Sequence, residues 1–437
     1  MNETGTGGGQ VRLETLMNDS HEELTHSGVN GERMARRLYE LSKIGLTEDG
    51  GSNRISFTKE EKEAKNLAKL WMEEAGLTVK EDGAGNVIGR LEGASSKAVV
   101  MSGSHLDSVP NGGHFDGPLG VLAAIEVAQA WKDTDFVPEK SYEVVVFTDE
   151  EGARFNSGLT GSRAITGTLD PDEKRTLTDA DGKLFEDVMQ ENGLSLSSIK
   201  EAARDFTDVD AFVEVHIEQG KKLEKEDLPV GVVQGIAGPS WLDVTFTGAA
   251  GHAGNTPMDD RTDALVAAGI FIAEIEKLPS RFSPSAVATV GKVNVKPNGV
   301  NVIAGEVQMT VDVRDIHEDT RNSLQEAIFA KACEIAEERN IEVTTKEIMS
   351  APPVKVTEEM QQKAAAAVQK AVDREPYFLP SGAGHDAMIM GKKTSIAMLF
   401  TRSRDGISHN PAEWSSLNDC VHTVHALKHL LEDLCAT

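Results

Sequence analysis

The chain has little cysteine and no long apolar run. Only three of its 437 residues are cysteines, and Cys333, Cys420 and Cys435 are too scattered for a disulfide framework or a cysteine-rich zinc site. A reducing, cytoplasmic compartment is therefore expected. No apolar stretch approaches the ~20 residues of a membrane span, and the N-terminus has neither the basic flank nor the apolar core of a signal peptide. Residues 1–29 are predicted to be a disordered leader.

Positive charge is also scarce. Lysine and arginine number 44 against 71 aspartates and glutamates, which gives a formal net charge of -27 at pH 7. So acidic a chain is repelled by nucleic-acid phosphates and by anionic membranes, and neither is expected as a partner. The sequence has no internal repeat, and its length is enough for two domains with a full core each.

Histidines and carboxylates are concentrated in four segments that each follow an apolar run and contain glycine. The segments are GSHLDSVPNGGHFDGPLG (103–120), TDEEGARF (148–155), HIEQG (216–220) and GISHNPAE (406–413). One histidine near a strand end is more often structural than a ligand, but the coincidence of four segments favours a metal site. The nitrogen and oxygen donors that suit Zn²⁺ or Mn²⁺ are His105, Asp116, Glu151, His216 and His409. His114 is a weaker candidate and is expected only to line the entrance.

The predicted strands place these donors at one edge of a sheet. The run 98–101 predicts a strand that leads to His105, and 144–147 predicts another that ends in three adjacent carboxylates, residues 149–151. Such carboxylates repel one another unless a cation neutralises them. In 212–220 a period of two puts His216 on a polar face opposite valines and isoleucine, which predicts a strand that presents a polar edge.

The order of these patterns predicts an α/β protein with one domain inserted into another. From residue 30 to about 220, strands alternate with helical patterns at 58–75 and 119–131, which is typical of a largely parallel sheet covered by helices. The charged run Lys221–Asp227 predicts a hinge. The segments that follow it are β-prone at 241–246 and 308–313 and helical at 264–278 and 322–339. We therefore predict a catalytic domain at 30–228, an inserted α+β unit at 229–342, and a return to the catalytic domain at 343–437.

The inserted unit carries polar residues that a spacer would not need. His252 lies between small residues, where a ligand can approach closely, and Asn301 lies at a turn before a strand. Arg314 ends a strand of alternating polarity. On the residues alone, Arg314 is a solvated edge residue paired with Asp312 or Asp315.

From about residue 30 to its end, the chain resembles the M20-type metallohydrolases, and within them the amidase/hydantoinase/carbamoylase branch. H-L-D, F-D-G, D-E-E-G-x-R-F, H-I-E-Q-G, G-x-A-G-H-A-G, N-V-I-x-G, D-V-R-D, S-G-A-G-H-D-A and G-I-S-H-N-P all occur in the family's order. The resemblance implies a metallo-exopeptidase-like catalytic domain with a smaller inserted dimerisation domain, and hence a homodimer. It also implies two divalent ions per subunit (Mn²⁺, Zn²⁺, Co²⁺ or Ni²⁺).

The resemblance further assigns roles to residues. Asp116 would bridge the ions, with His105 and His216 on one ion and Glu151 and His409 on the other. Asp107 would orient His105, and Glu150 would be the general base. The substrate contacts implied are Arg314 and Asn301 to a carboxylate, His252 to the oxyanion, and Gln219, Gly382, Gly384 and His385 in the rest of the pocket.

These roles predict a substrate with a carboxylate and an amide or ureido carbonyl. We expect hydrolysis of an N-carbamoyl-L-amino acid to the amino acid, ammonia and carbon dioxide. Allantoate or ureidoglycolate is the first alternative and a dipeptide the second, although H-I-E-Q-G and S-G-A-G-H-D-A favour the carbamoylase branch. A non-catalytic binding protein is disfavoured because every expected ligand and Glu150 are present.

Overall fold

The structure is a computed structural model that describes Leu16, residues 25–95 and residues 97–436. Most of the predicted leader, 1–29, lies outside the described residues. The chain divides into two compact units: the first comprises the residues up to Val233, Val356–Leu379 and those from His385, and the second comprises Gln234–Lys355 and Pro380–Gly384. The domain limits taken from the sequence, 229 and 342, stay a prediction beside this division.

The first unit is a mixed sheet with helices. Its helices are α1 (Gly31–Ser42), α2 (Lys59–Glu74), α3 (Pro118–Asp133), α4 (Thr160–Ile165), α5 (Pro171–Lys174), α6 (Phe185–Glu191), α7 (Leu196–Glu201), α8 (Lys222–Glu226), α11 (Glu358–Val372), α12 (Asp386–Met390) and α13 (Leu417–Ala436). Its strands are β1 (Thr78–Glu81), β2 (Val87–Leu91), β3 (Val99–His105), β4 (Ser141–Phe147), β5 (Val209–Ile217) and β15 (Ser395–Thr401), and two more, β6 (Val230–Ile236) and β14 (Tyr377–Ser381), cross the boundary between the units. The strand order is β1-β2-β4-β3-β5-β15-β6, and β14 also pairs with β6.

The predicted helices of this unit are confirmed to within two residues. Thr58 caps α2 by accepting a hydrogen bond from the Glu61 main-chain N–H, and Glu60 and Glu61 lie in its first turn, where the helix dipole favours negative charge. Pro118 begins α3, as its fixed φ angle allows. Helix α3 is almost entirely buried and packs against β3 and β5.

The central strands are buried on both faces. Every residue of β3 and β4 is buried, as expected for strands covered on both sides. Strand β5 is buried except at Asp210, and Glu214 and His216 are 0% and 2% exposed, so the polar side chains predicted on one face of this strand lie inside the protein. Because β3, β4, β5 and β15 are parallel, their C-terminal ends meet at one edge of the sheet. That edge is where an open α/β sheet binds ligands.

The second unit is an antiparallel sheet with two long helices. Its elements are β7 (Gly238–Thr247), β8 (Gly251–His252), α9 (Ala264–Ile275), β9 (Val287–Lys296), β10 (Val302–Ile303), β11 (Glu306–Asp315), α10 (Glu318–Glu338), β12 (Glu342–Ser350) and β13 (Val354–Lys355). The sheet has the strand order β12-β7-β11-β9. Outside it, β8 pairs with β10, and β13 pairs with the end of β6. Alternate residues of β7 and β11 pack on α9 and α10, as the period of two predicts.

The predicted hinge, Lys221–Asp227, contains helix α8, whose Leu223 is buried. The division between the units falls later, between Val233 and Gln234 within β6. None of the helices in the described part of the chain combines the length and the apolar character that a membrane span requires.

Candidate metal centre

Donor side chains from five places in the sequence converge at the C-terminal edge of the first unit's sheet. His105 ends β3, His216 lies in β5, and the other donors come from the loops that follow β3, β4 and β15. Within each group the ligand atoms lie within 4.8 Å of one another, and the groups are His105–Asp116–His216, Asp116–Glu151–His409 and His105–Glu150–Glu151. Asp116 belongs to two groups. The five ligands predicted from the sequence are therefore close together.

The carboxylate of Asp116 divides its two oxygens between the groups. Its Oδ1 lies 3.5 Å from His105 Nε2 and 3.1 Å from His216 Nε2. Its Oδ2 lies 3.3 Å from His409 Nε2, which is 3.5 Å from Glu151 Oε2. Ligands of a tetrahedral zinc ion stand about 3.3–3.6 Å apart, because each lies roughly 2.0–2.2 Å from the metal. The spacing of these donor atoms fits the coordination of a divalent metal ion.

Main-chain hydrogen bonds orient the two buried imidazoles for ligation. His105 Nδ1 lies 3.0 Å from the Asp107 carbonyl oxygen, and His216 Nδ1 lies 3.0 Å from the Ile217 carbonyl oxygen. A carbonyl only accepts, so each Nδ1 carries a proton, and Nε2 is the nitrogen that faces Asp116 and that binds a metal once it is deprotonated. His105 Nε2 is buried and forms no hydrogen bond with any described residue, which is what a metal ligand requires.

The ionisable groups of the cluster perturb one another strongly. Although burial opposes it, the charge of His216 holds the pKa of Asp116 well below its usual range. Burial, followed by the charge of Asp116, raises the pKa of Glu151 to about 7. The hydrogen bond with Asp116 raises the pKa of His409 to about 9. Perturbation of this kind, at the ligand-binding edge of a sheet, is typical of a functional site.

Asp107 fixes the backbone that carries the two glutamates. Its carboxylate accepts hydrogen bonds from the main-chain N–H groups of Glu150 (3.2 Å) and Glu151 (3.1 Å) and from Ser56 Oγ (3.0 Å). His105 Nδ1 donates to the main-chain carbonyl of Asp107, whereas the Asp107 carboxylate is 3.7 Å from Nδ1. The structure thus links Asp107 to His105 through the main chain and to the glutamates through the side chain.

Glu150 and Glu151 reach the same donor group because β4 has ended. The strand stops at Phe147, and Asp149 has a left-handed φ of 56°, so strand alternation no longer separates their side chains. Glu150 Oε2 lies 3.7 Å from His105 Nε2. Burial raises the pKa of Glu150 well above its usual range, against the opposing charge of His105. A carboxylate shifted in this direction holds a proton more readily than an ordinary glutamate, as a general acid–base group must.

Asp149 is not part of the donor cluster. It is fully buried, accepts a hydrogen bond from Thr160 and lies 3.5 Å from Lys174 Nζ. Burial raises its pKa to about 6, although the charge of Lys174 lowers it. Lys174 therefore neutralises one of the three adjacent carboxylates, and the sequence analysis missed this buried lysine because nothing in its neighbourhood marks it.

Three side chains surround the Asp116 carboxylate and main chain. Gln219 Nε2 donates to Asp116 Oδ2 at 2.7 Å and lies 3.0 Å from Ser408 Oγ. The Ser408 hydroxyl donates to the same oxygen at 2.7 Å. Glu413 accepts hydrogen bonds from the main-chain N–H groups of Phe115 (2.8 Å) and Asp116 (3.1 Å). Ser408 and Glu413 flank His409 in GISHNPAE, but the sequence analysis selected only the histidine from that motif.

Two further histidines, one predicted in the substrate pocket and one at its entrance, are buried. His385 precedes α12 and stacks edge-on against His216 with ring centroids 4.4 Å apart. Burial, followed by the charge of His216, lowers the pKa of His385 well below its usual range, so the ring is neutral. His114 contacts the Gly50 carbonyl at 3.0 Å and is only 5% exposed, and therefore it does not line an entrance.

In the second unit, His252 and Asn301 lie side by side on β8 and the turn before β10. His252 Nδ1 accepts hydrogen bonds from the main-chain N–H groups of Gly254 (3.0 Å) and Asn255 (3.1 Å). The neutral ring therefore carries its proton on Nε2, where it is a donor. The Asn301 carbonyl accepts from Ala253 N–H at 3.0 Å, and both His252 and Asn301 are exposed.

Arg314 forms the pair that its own sequence neighbourhood predicts. Its Nε and Nη2 each lie 2.9 Å from the carboxylate of Asp312, and its Nη1 donates to the Gly382 carbonyl at 2.7 Å. Two of its five N–H groups have no partner among the described residues. A Cβ added at Gly382 or Gly384 would meet no atom within 4 Å, so the packing of the described residues does not require glycine at either position.

A sheet that gathers nitrogen and oxygen donors around one shared carboxylate is the framework of a metal-dependent hydrolase. Residues 101–433 match the model of peptidase family M20/M25/M40. The chain belongs to this family, whose members are metal-dependent.

Similar proteins span almost the whole chain. An N-carbamoyl-L-amino acid amidohydrolase of Geobacillus stearothermophilus is 46% identical over 93% of this chain and 99% of its own length. An allantoate amidohydrolase of Bacillus subtilis is 36% identical over 90% of this chain and 95% of its own length. The crystal structure of a hydantoinase/carbamoylase family amidase from Burkholderia multivorans is 33% identical, with a TM-score of 0.87 over 94% of this chain and 98% of that one.

Proposed function

We propose that the protein hydrolyses the ureido group of an N-carbamoyl-L-amino acid, with one water, to the amino acid, ammonia and carbon dioxide. The observation that carries the chemistry is the donor set divided between the two oxygens of Asp116. The substrate class is supported by the 46% identity with the Geobacillus amidohydrolase.

Two divalent ions, of Mn²⁺, Zn²⁺, Co²⁺ or Ni²⁺, are proposed to share Asp116. His105 and His216 would hold one ion, and Glu151 and His409 the other. When bound, such ions polarise a substrate carbonyl and lower the pKa of water. The nitrogen and carboxylate donors and their spacing support this assignment.

Glu150 is the proposed general base. It accepts a proton from the attacking water and returns it to the departing nitrogen, which balances the charge of the step. His252 would donate its Nε2 proton to the oxyanion that develops on the ureido carbonyl. The tautomer of His252, fixed by the two N–H bonds to Nδ1, supports this role.

The substrate carboxylate is assigned to Arg314 and Asn301. Arg314 keeps two unpartnered N–H groups among the described residues, and a planar guanidinium binds a carboxylate with parallel, charge-assisted hydrogen bonds. A local cation is also needed to admit an anion to a chain with a net charge of -27. Gln219, Gly382, Gly384 and His385 are proposed to form the rest of the pocket. The subunits are proposed to form homodimers through the inserted unit, in the cytoplasm.

Allantoate is the second candidate substrate, because an allantoate amidohydrolase is 36% identical over 90% of this chain. Both substrates offer a ureido carbonyl and a carboxylate, so the same residues serve either one. We expect a panel of N-carbamoyl-L-amino acids, allantoate, ureidoglycolate and dipeptides, assayed with Mn²⁺ for ammonia and free amine, to give the highest kcat/KM with an N-carbamoyl-L-amino acid. Amine release from dipeptides alone, without ammonia from any ureido acid, would contradict the proposal.

A further inference from the structure

A buried glutamate joins two loops of the metal centre that are far apart in the sequence. Glu413 is 3% exposed, and its Oε1 accepts from the main-chain N–H groups of Phe115 at 2.8 Å and Asp116 at 3.1 Å. Its own N–H donates at 3.0 Å to the carbonyl of Asn410, which directly follows His409. One side chain therefore holds the loop of Asp116 against the turn that carries His409.

A hydroxyl makes a second connection between these loops. Ser408 Oγ donates to Asp116 Oδ2 at 2.7 Å and lies 3.3 Å from Glu413 Oε2. The segment 408–413 thus contacts both the main chain and the carboxylate of Asp116. Since Asp116 and His409 are proposed to bind the same ion, these contacts determine how far apart the two ligands lie.

The packing around Glu413 leaves its carboxylate little freedom. A Cβ added at Gly113 would lie 2.0 Å from Glu413 Cδ, so only glycine permits this close approach. Next to it, the rings of Phe115 and Trp414 meet edge to face with centroids 5.6 Å apart. The loops are joined by a buried polar contact with an aromatic contact beside it.

We infer that Glu413 is a positioning residue of the metal centre, which sets the distance between Asp116 and His409 without binding an ion itself. The inference rests on the proposed two-metal function. Residues that orient metal ligands typically contribute 10–100-fold to metal affinity. Glu413 is in neither of the donor groups that contain Asp116, which distinguishes it from a ligand within the described residues.

The test compares metal affinity with the stability of the metal-free protein. Glu413→Ala should bind Mn²⁺ or Zn²⁺ about 10–100-fold more weakly, measured by competition with a chromophoric chelator. Excess metal should restore much of its kcat, with little change in KM. Glu413→Gln keeps an acceptor oxygen for both N–H groups and should lie between Glu413→Ala and the wild type.

Glu126 provides a matched control. It is also a fully buried glutamate, it accepts a main-chain hydrogen bond from Asn30 at 2.9 Å, and it pairs with Arg33 and Arg37. Glu126→Ala should lower Tm while metal affinity stays at the wild-type value. This contrast separates a general loss of stability from a specific effect on the metal centre.

Wild-type metal affinity in a folded Glu413→Ala would overturn the inference. If that variant does not fold, Glu413→Gln and Ser408→Ala decide the matter, and wild-type affinity in both would also overturn it. A wild-type protein that binds metal but hydrolyses no ureido acid would refute the proposed function instead, while the affinity comparison would still test Glu413.

Discussion

Glu150→Gln tests the catalytic base with little change in shape. The main-chain bond from Glu150 N–H to Asp107 Oδ1, at 3.2 Å, does not involve the side chain and is retained. The amide cannot accept a proton at neutral pH. Because general acid–base transfer contributes about 10²–10⁴-fold, kcat should fall by that factor, a barrier increase of about 2.7–5.5 kcal/mol.

Glu151→Gln is the matched control for this substitution. It removes the same charge one residue along the chain, from the group formed with Asp116 and His409. Glu150→Gln should retain two ions per chain, whereas Glu151→Gln should lose one ion or bind it weakly. Both retain main-chain bonds to Asp107, so a difference in metal content reflects the side chains.

The assay combines ammonia release from an N-carbamoyl-L-amino acid with metal content by mass spectrometry on the same samples. Near-normal turnover of Glu150→Gln would place the base elsewhere. Loss of an ion from Glu150→Gln would make Glu150 a ligand, a result the geometry permits because its carboxylate groups with His105 and Glu151 within 4.8 Å.

Three further predictions concern recognition, assembly and stability. Arg314→Lys keeps the charge but loses the planar guanidinium, so kcat/KM for carboxylate substrates should fall at least about tenfold, or about 1.4 kcal/mol. Equal kcat/KM values for a free acid and its amide, in both the wild type and Arg314→Lys, would refute this prediction. If His252 serves the partner's active site, Glu150→Gln and His252→Ala should each be nearly inactive alone. Random mixing of the two variants makes about half the dimers mixed, and each mixed dimer has one intact site. Turnover should therefore recover to about a quarter of the wild-type value. No recovery despite proven mixing would exclude that arrangement. Although burial opposes it, the nearby His429 and the hydrogen bonds from Lys428 and Trp131 lower the pKa of Glu432 to about 2. Glu432 therefore stabilises the fold fully above the ordinary carboxyl pKa and progressively less as pH falls towards 2. Glu432→Gln should accordingly lower Tm at pH 7 and by less at pH 4, and an equal difference at both pH values would contradict the shift.

The parts of the site that the sequence predicts are those that local patterns determine. Strands β3 and β4 follow from short apolar runs, and their parallel pairing brings His105 and Glu151 to one edge. Helices α2 and α3 follow from their periodicity and from Thr58 and Pro118 at their starts. Such signals need only a few neighbouring residues, which explains why these elements are recovered.

Contacts between distant segments are the parts that local patterns miss. The bond between Phe115 and Glu413 joins residues 298 positions apart, and Asp149 meets Lys174 only because α5 packs beside it. The alternation of polar and apolar residues in β5 predicts correctly which face of the strand carries Glu214, but it does not predict which residues cover that face. Ser104 Oγ and the Ala387 N–H donate to that carboxylate at 2.7 and 2.8 Å, so the polar face meets protein rather than water.

Two different predictions for Arg314 are compatible with each other. The residues alone predict a pair with Asp312, whereas the family resemblance implies a substrate carboxylate. The Asp312 pair uses one N–H each of Nε and Nη2, and Gly382 accepts from Nη1. This pairing holds the guanidinium plane in place and leaves one N–H on each terminal nitrogen without a partner among the described residues. A side chain that is 30% exposed and already oriented in this way loses less rotamer entropy when it binds a carboxylate. The ion pair with Asp312 therefore orients Arg314 for the proposed substrate. Asp312→Ala should weaken carboxylate binding even though it removes a competing negative charge.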